Sequence, residues 1–178
     1  MNFKTLSSKT VFKARVFKLR EDEVLYPDGR QATFHIVEHN GAVAMVPVDP
    51  QGRVLLVRQF RQTTGKLLLE LPAGTLEDGE DPESCAYREL CEEVGMAPGN
   101  LQKIGEFFLA PGYSSEVMHI YLATDLREEK QAGDEDEFLS VEAYTPEELF
   151  AMIDTREIED AKTITGLLLA RSQLGKYP

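Results

Sequence analysis

Glu89, Glu92 and Glu93 fall within one five-residue stretch, with Arg88 directly before them and Glu80 eight positions upstream. At the helical step of about 100° per residue the three carboxylates share one face, while Ala86, Tyr87, Leu90 and Val94 share another. One face packs and the other carries negative charge. Like charges on adjacent turns repel and destabilise a bare helix, so a cationic counter-charge is expected, although an acidic face can also simply be left to water. Hard divalent cations such as Mg²⁺ prefer carboxylate oxygens. The chemistry this spacing would serve is a metal-assisted reaction on an anionic substrate. Cys85 shares the acidic face and Cys91 does not. A lone thiol among carboxylates specifies no soft-metal site, and both cysteines are read as small packing residues.

A helix must hold these groups, and the flanks supply its ends. Asp81 can cap the first N–H groups, Pro82 suits the first turn, and Gly95 suits the left-handed residue after the last. The expected helix runs from about Pro82 to Val94, entered through a loop that begins at Gly74. Residues 9–38 read as a strand meander turning at Pro27-Asp28-Gly29. The apolar runs Ala42–Val48 and Arg53–Phe60 flank Asp49-Pro50-Gln51-Gly52, a hairpin turn. Leu67–Leu71 is a short strand stopped by Pro72, and further strands are expected near 103–109, 117–124 and 138–144. Thr145-Pro146-Glu147-Glu148 is a capping box opening a short helix to about Ile153. A last helix spans roughly Asp160 to Leu174, and the acidic stretch Gly133–Glu137 is a loop. Strands bracketing a central helix, with another helix at the C-terminus, predict an α/β sandwich around a mixed sheet.

The chain's 178 residues suit one compact domain. No apolar run approaches the roughly 20 residues of a membrane helix. With 19 basic against 31 acidic residues the net charge is -12, which excludes a general nucleic-acid binder. A polyanionic substrate would have to be met through metal ions or a local basic patch. Two cysteines six apart make no disulfide framework and point to a reducing compartment, the cytoplasm. Lys4, Lys9, Lys13, Arg15, Lys18 and Arg20 make the first twenty residues basic. The alternation through Val11–Leu19 is nevertheless that of a strand, not of an amphipathic targeting helix.

The pattern Gly74, five residues, Glu80, seven residues, Arg88-Glu89-Leu90, one residue, Glu92-Glu93, one residue, Gly95-Met96 resembles the full signature of the Nudix hydrolases at every fixed position. The resemblance implies a Nudix-type α/β/α sandwich around a mixed sheet, with an N-terminal β-meander. It also implies metal-dependent hydrolysis of a nucleoside diphosphate linked to another group. Carried onto this chain, it makes Glu89, Glu92 and Glu93 metal ligands, with the carbonyl of Ala73 as a backbone ligand. Arg88 would orient those carboxylates, Glu80 would anchor helix to loop, and Gly74 would supply backbone freedom.

The flanks are similar to the ADP-ribose pyrophosphatase and nucleoside-diphosphate-sugar branch. They are Arg58-Gln59-Phe60-Arg61, Glu70-Leu71-Pro72-Ala73-Gly74, Ala110-Pro111-Gly112-Tyr113-Ser114-Ser115-Glu116 with Pro111 sixteen residues after Gly95, and Asp134-Glu135-Asp136-Glu137 followed by Val141. In that branch Arg61 would hold diphosphate oxygens in bidentate fashion, with Glu70 in the same substrate-binding set. Phe34 would stack on the base against Val16 or Phe17, and Tyr113 and Ser114 would meet the sugar. An acid common beside the stacking ring is replaced by His35, which loosens the expected adenine selectivity. Glu135 is the expected general base, with Glu137 as alternative base or extra metal ligand and the helix glutamates, Glu92 among them, as rivals.

The implied reaction cleaves ADP-ribose or a related nucleoside diphosphate sugar into a nucleoside monophosphate and a sugar phosphate. It would use two or more Mg²⁺ ions, for which Mn²⁺ can substitute. Residues 1–40 would form a strand segment that pairs subunits and touches substrate in a homodimer, and 41–178 the hydrolase domain. The rivals are a Nudix enzyme for another nucleotide, such as a dinucleoside polyphosphate, and a catalytically silent ADP-ribose sensor.

Overall fold

Period-two alternation along the first forty residues builds an antiparallel meander. In the computed structural model, which describes residues 2–129, 131 and 139–175, β1 (Lys4–Lys13), β2 (Lys18–Leu25) and β3 (Gln31–Glu38) pair in that order. The meander starts at Lys4, earlier than residue 9. The β2–β3 register is regular, from Lys18 opposite Glu38 to Leu25 opposite Gln31. Gly29 makes the intervening turn at φ 87°, a left-handed value that favours glycine. The meander forms one compact unit with residues 107–118. There the Val37 N–H donates to the Tyr113 carbonyl at 2.8 Å and the Ser115 N–H donates to the Val37 carbonyl at 3.0 Å.

Residues 42–106 and those from 119 onward form the second unit. Its elements are β4 (Ala42–Pro47), β5 (Val54–Arg61), β6 (Lys66–Glu70), β7 (Ala73–Thr75), α1 (Pro82–Glu89) and β8 (Met96–Ala97). They continue with β9 (Asn100–Phe108), β10 (Val117–Thr124), β11 (Arg127–Glu128), β12 (Leu139–Tyr144), α2 (Pro146–Asp154) and α3 (Ala161–Leu174), β9 and β10 each running past its edge. The strands order as β7-β4-β10-β9, β12-β5-β6 and the short pair β11-β8. Every residue of β4 is buried, as in a strand covered on both faces. Val43 and Met45, with Tyr121 and Ala123 of β10, pack against Cys85, Ala86 and Leu90 of the first helix. One residue out of step, Val46 and Ile120 lie against Gly166 of α3. Helices therefore cover both faces of this sheet, the expected α/β sandwich.

One expectation fails. The turn at Asp49–Gly52 forms, with the Asp49 N–H donating to the Arg53 carbonyl at 2.9 Å. However, β4 and β5 belong to different sheets and meet at a single Val48–Val54 bridge. Turn residues dictate a reversal but not a partner. β4 takes β7 and β10 as its partners and β5 takes β6 and β12, all of which lie further along the chain.

The helix ends follow the sequence. Asp81 accepts from the Glu83 and Ser84 N–H groups, and Pro82 opens α1. Past Glu89 the helix continues as a π-helical turn over Leu90–Val94, closed by Gly95 at φ 73°. Thr145 and Glu148 complete their capping box on α2, and Asp160 caps α3. Among the described residues no helix is long and apolar enough to cross a membrane.

Candidate active site

The acidic face of the central helix is organised by one cation. Arg88 Nε and Nη2 donate to the two oxygens of Glu80 at 3.0 and 3.1 Å. Its Nη1 reaches Glu89 Oε1 at 2.7 Å and Glu92 Oε2 at 3.0 Å. The Glu80 carboxylate and then the Glu89 charge raise the Arg88 guanidinium above its ordinary range. Glu80 is held below the usual carboxylate range by Arg88, and it also accepts from the Glu77 N–H at 2.9 Å, tying loop to helix. Cys85 lies in the core, fully buried, with Arg88 Nη2 3.3 Å from its sulfur. Burial pushes its thiol up, so it is no nucleophile.

The loop before the helix closes onto the same carboxylates. Ala73 N–H donates to Glu93 Oε2 at 2.9 Å, and Met45 N–H fixes the loop by donating to the Pro72 carbonyl at 3.0 Å. Gly74 does not serve backbone freedom as expected, since its φ is not left-handed. It serves space: a Cβ there would stand 1.9 Å from Glu89 Cδ and Oε1. The Glu89 side chain lies directly on that glycine.

Among the described residues no group of three or more His, Cys, Asp or Glu is gathered as a metal cage. The donor set nevertheless fits a hard divalent ion. Glu89 and Glu92 already converge on a single positive group, Arg88 Nη1, and the cradle over Gly74 has room for no side chain but that of Glu89.

A second charged knot lies at the end of β5. Arg61 Nε and Nη2 donate to the two oxygens of Glu70 at 2.8 and 2.6 Å. Glu70 is 1% exposed and also accepts from Lys162 Nζ, which in turn reaches Asp160 Oδ2 at 3.0 Å. Burial pushes the Glu70 carboxyl up, but Arg61 and Lys162 outweigh it and hold it below the ordinary range.

In the N-terminal unit, Phe34 sits opposite Asp22 and stacks on Tyr26 at 6.3 Å. Phe17 instead packs on Phe12, whose strand partner Leu19 points to the other face of the meander. Phe34 and Phe17 are thus not brought together as two walls within this unit. Val16 is exposed in the β1–β2 turn. Tyr113 is exposed, and Ser114 bridges to Val37 of β3. His35 meets Glu21 at 3.3 Å, while Asp22, directly opposite Phe34, is an acid on that ring's face, held by Ser8 at 2.6 Å and Arg20 at 3.0 Å.

The NUDIX domain model matches residues 38–167, and the model for the nucleoside diphosphate sugar hydrolase N-terminal domain matches residues 3–37. The chain belongs to the Nudix family. It is 41% identical over 162 residues to an ADP-ribose pyrophosphatase of Bacillus subtilis (strain 168), covering 90% of this chain and 88% of that one. It is 38% identical over 163 residues to a methanol dehydrogenase activator of Bacillus methanolicus, covering 90% and 88%. A crystal structure of an ADP compounds hydrolase superposes with a TM-score of 0.86 at 26% identity, covering 99% of this chain and 96% of that one.

The Nudix motif covers Glu80, Arg88 and the three helix glutamates; Arg88 contacts Glu80, Glu89 and Glu92, while Glu93 is held by the Ala73 N–H. Glu135 and Glu137 lie outside the described residues. Sequence reasoning missed Lys162 and Tyr26. A signal for Lys162 exists, since a lysine in the first turn of α3 opposes the helix dipole and calls for an acidic partner.

Proposed function

We propose that this Nudix chain hydrolyses the diphosphate linkage of ADP-ribose and related nucleoside diphosphate sugars, giving a nucleoside monophosphate and a sugar phosphate. The observation that carries the reading is the Arg88 knot, which holds Glu89 and Glu92 converging beside Glu93 and the Ala73 loop. A pure binding module gains nothing from three repelling carboxylates. The B. subtilis relative, an ADP-ribose pyrophosphatase, supports the substrate class.

Glu89, Glu92, Glu93 and the Ala73 carbonyl would hold two or more divalent ions, Mg²⁺ with Mn²⁺ as a substitute. Bound there, such ions would supply neutralisation of the diphosphate charge and activation of the attacking water. Arg88 spends its donors on Glu80, Glu89 and Glu92 and acts by orienting the carboxylates. Arg61 grips diphosphate oxygens with its planar fork. Glu70 is too buried to meet substrate and acts by aiming Arg61. Glu135 removes the water's proton, with Glu137 and helix Glu92 as its alternatives.

The base stacks on Phe34, and Tyr113 and Ser114 meet the sugar. Val16 or Phe17 supplies the opposite wall from a second copy, since the Phe17 ring packs on Phe12, away from Phe34's face of its own meander. We therefore propose a homodimer. Residues 1–40 pair the subunits and contact substrate, and 41–178 do the hydrolysis. All of β1 is exposed, Val11 and Phe12 included. The two buried free cysteines suit the cytoplasm.

A panel of ADP-ribose, other nucleoside diphosphate sugars, dinucleoside polyphosphates and nucleoside triphosphates tests the assignment. ADP-ribose should be cleaved fastest, to AMP and ribose 5-phosphate, and faster turnover of either of the last two classes would overturn it. The relative that activates methanol dehydrogenase favours a second reading, in which the same site serves a partner enzyme. A substrate-binding protein inert across the whole panel would favour that reading.

A further inference from the structure

The geometry points to Lys162 as a positioning residue for substrate affinity: by sharing the charge of Glu70, it leaves Arg61 more positive toward the diphosphate. The inference rests on the proposed reaction and goes beyond it, because the signature around the helix does not include this lysine.

Arg61 alone cannot do both of its jobs. A buried carboxylate holding a single guanidinium makes a neutral pair, and an anion approaching from outside meets a dipole, not a charge. Glu70 is sealed at 1% exposure, so water cannot share its charge. Arg61 presents its Nε–Nη2 edge to that carboxylate, using two of the five donors of the guanidinium fork. Lys162 approaches the same Oε2 that accepts from Arg61 Nη2, and its side chain is 12% exposed. Two cations thus face one buried carboxylate. Asp160 pairs with Lys162 at 3.0 Å, but its carboxylate also accepts from the Thr163 N–H at 2.9 Å and caps α3. The helix dipole there offsets its charge. Arg61, Lys162, Glu70 and Asp160 sum to no net charge, but that dipole partly offsets Asp160, so the Arg61 edge keeps more positive charge than an Arg61–Glu70 pair alone would.

The arrangement also sets position. Thr163 Oγ1 accepts from the Leu71 N–H at 2.8 Å, which seats the first turn of α3 on the residue after Glu70. An exposed pair, Lys66–Glu159 at 2.8 Å, ties the same hairpin to the same stretch of chain without touching Glu70. That pair provides the control.

The test is steady-state hydrolysis of ADP-ribose by the full chain. Lys162→Met should raise KM about tenfold and change kcat less than about threefold, the pattern of lost substrate binding. Lys162→Arg should restore the wild-type KM. Adding Glu70→Gln to Lys162→Met should recover much of the lost affinity, because an amide no longer claims the Arg61 charge. Lys66→Met should leave KM unchanged. If methionine at 162 prevents folding, Lys162→Gln reads the same split. An unchanged KM in Lys162→Met, a fall confined to kcat, or no recovery on adding Glu70→Gln would overturn the inference while the function stands. A wild-type chain that cleaves no nucleoside diphosphate sugar would remove both.

Discussion

Gly74→Ala is a sharp perturbation because the nearest atoms in its path all belong to one side chain, that of Glu89. The added Cβ would stand 1.9 Å from Glu89 Cδ and Oε1 and 2.3 Å from Cγ. Ordinary carbon contacts lie at about 3.5–4.0 Å, so the Glu89 carboxylate must retreat by roughly 1.5–2 Å. The backbone needs no adjustment, since Gly74 is not in the left-handed region. Glu89 is a flexible side chain, so the fold should absorb the change for about 1 kcal/mol, or about 2–4 °C in Tm. Function should not absorb it. The 2.7 Å bond from Arg88 to Glu89 Oε1 is lost, and a 1 Å misplacement at a reacting centre can cost about 10²-fold. We expect kcat/KM for ADP-ribose to fall about a hundredfold. Melting curves with and without Mg²⁺ should show less metal-induced stabilisation in the variant than in wild type. Wild-type kcat/KM at every Mg²⁺ concentration would refute the reasoning. A collapsed Tm would mean that Glu89 cannot retreat without disturbing the packing around it.

Exhaustive chelation should abolish turnover and Mg²⁺ or Mn²⁺ restore it, and Glu92→Gln and Glu93→Gln should each cut the rate severely while far-UV circular dichroism stays unchanged; near-normal rates in both would misassign the ligand face. Glu135→Gln should lower kcat by about 10²–10⁴-fold with little change in KM, whereas a normal rate beside a collapsed one for Glu137→Gln would move the base within that loop. Arg58, and then Tyr144, hold the Glu142 carboxyl down at about 2 from 4.5. The depressed value means that this pair stabilises the fold above pH 4.5 and loses its contribution as pH falls through about 2. Discounted for exposure, it is worth about 1 kcal/mol, so Glu142→Gln should melt a few degrees lower at pH 7 and converge with wild type near pH 2.

The elements with strong local codes were legible. Asp81, Pro82 and Gly95 bound a helix, and Thr145 with Glu148 bounds another, because caps are satisfied by neighbours within a few residues. The partners of strands were less legible. The Asp49–Gly52 turn is local, but that β4 pairs with β10 and not with β5 is set by contacts far away in sequence. The Nudix motif gave the acidic face, but not its state. That Arg88 binds Glu80, Glu89 and Glu92 together depends on rotamers, and no spacing encodes those. Lys162 was invisible for a related reason, since it meets Glu70 across 92 residues.

The helical wheel also explains why the three glutamates do not behave alike. Drawn at about 100° per residue it assumes an unbroken α-helix, but the Gly95 N–H donates to the Leu90 carbonyl, five residues back. The last turn is therefore a wide π turn, a form that is rare overall and frequent at functional sites. Arg88 and Glu92 remain four apart at its near end and still meet at 3.0 Å. Glu93, within the widened turn, faces the other way and accepts from the Ala73 N–H. Glu89 stands between, touching Arg88 on one side and lying over Gly74 on the other. The carboxylates thus span the gap between helix and loop instead of lining a single ridge. They are held by different partners, Arg88 for Glu89 and Glu92 and the Ala73 amide for Glu93, a fixed arrangement that a merely solvated acidic face would not need.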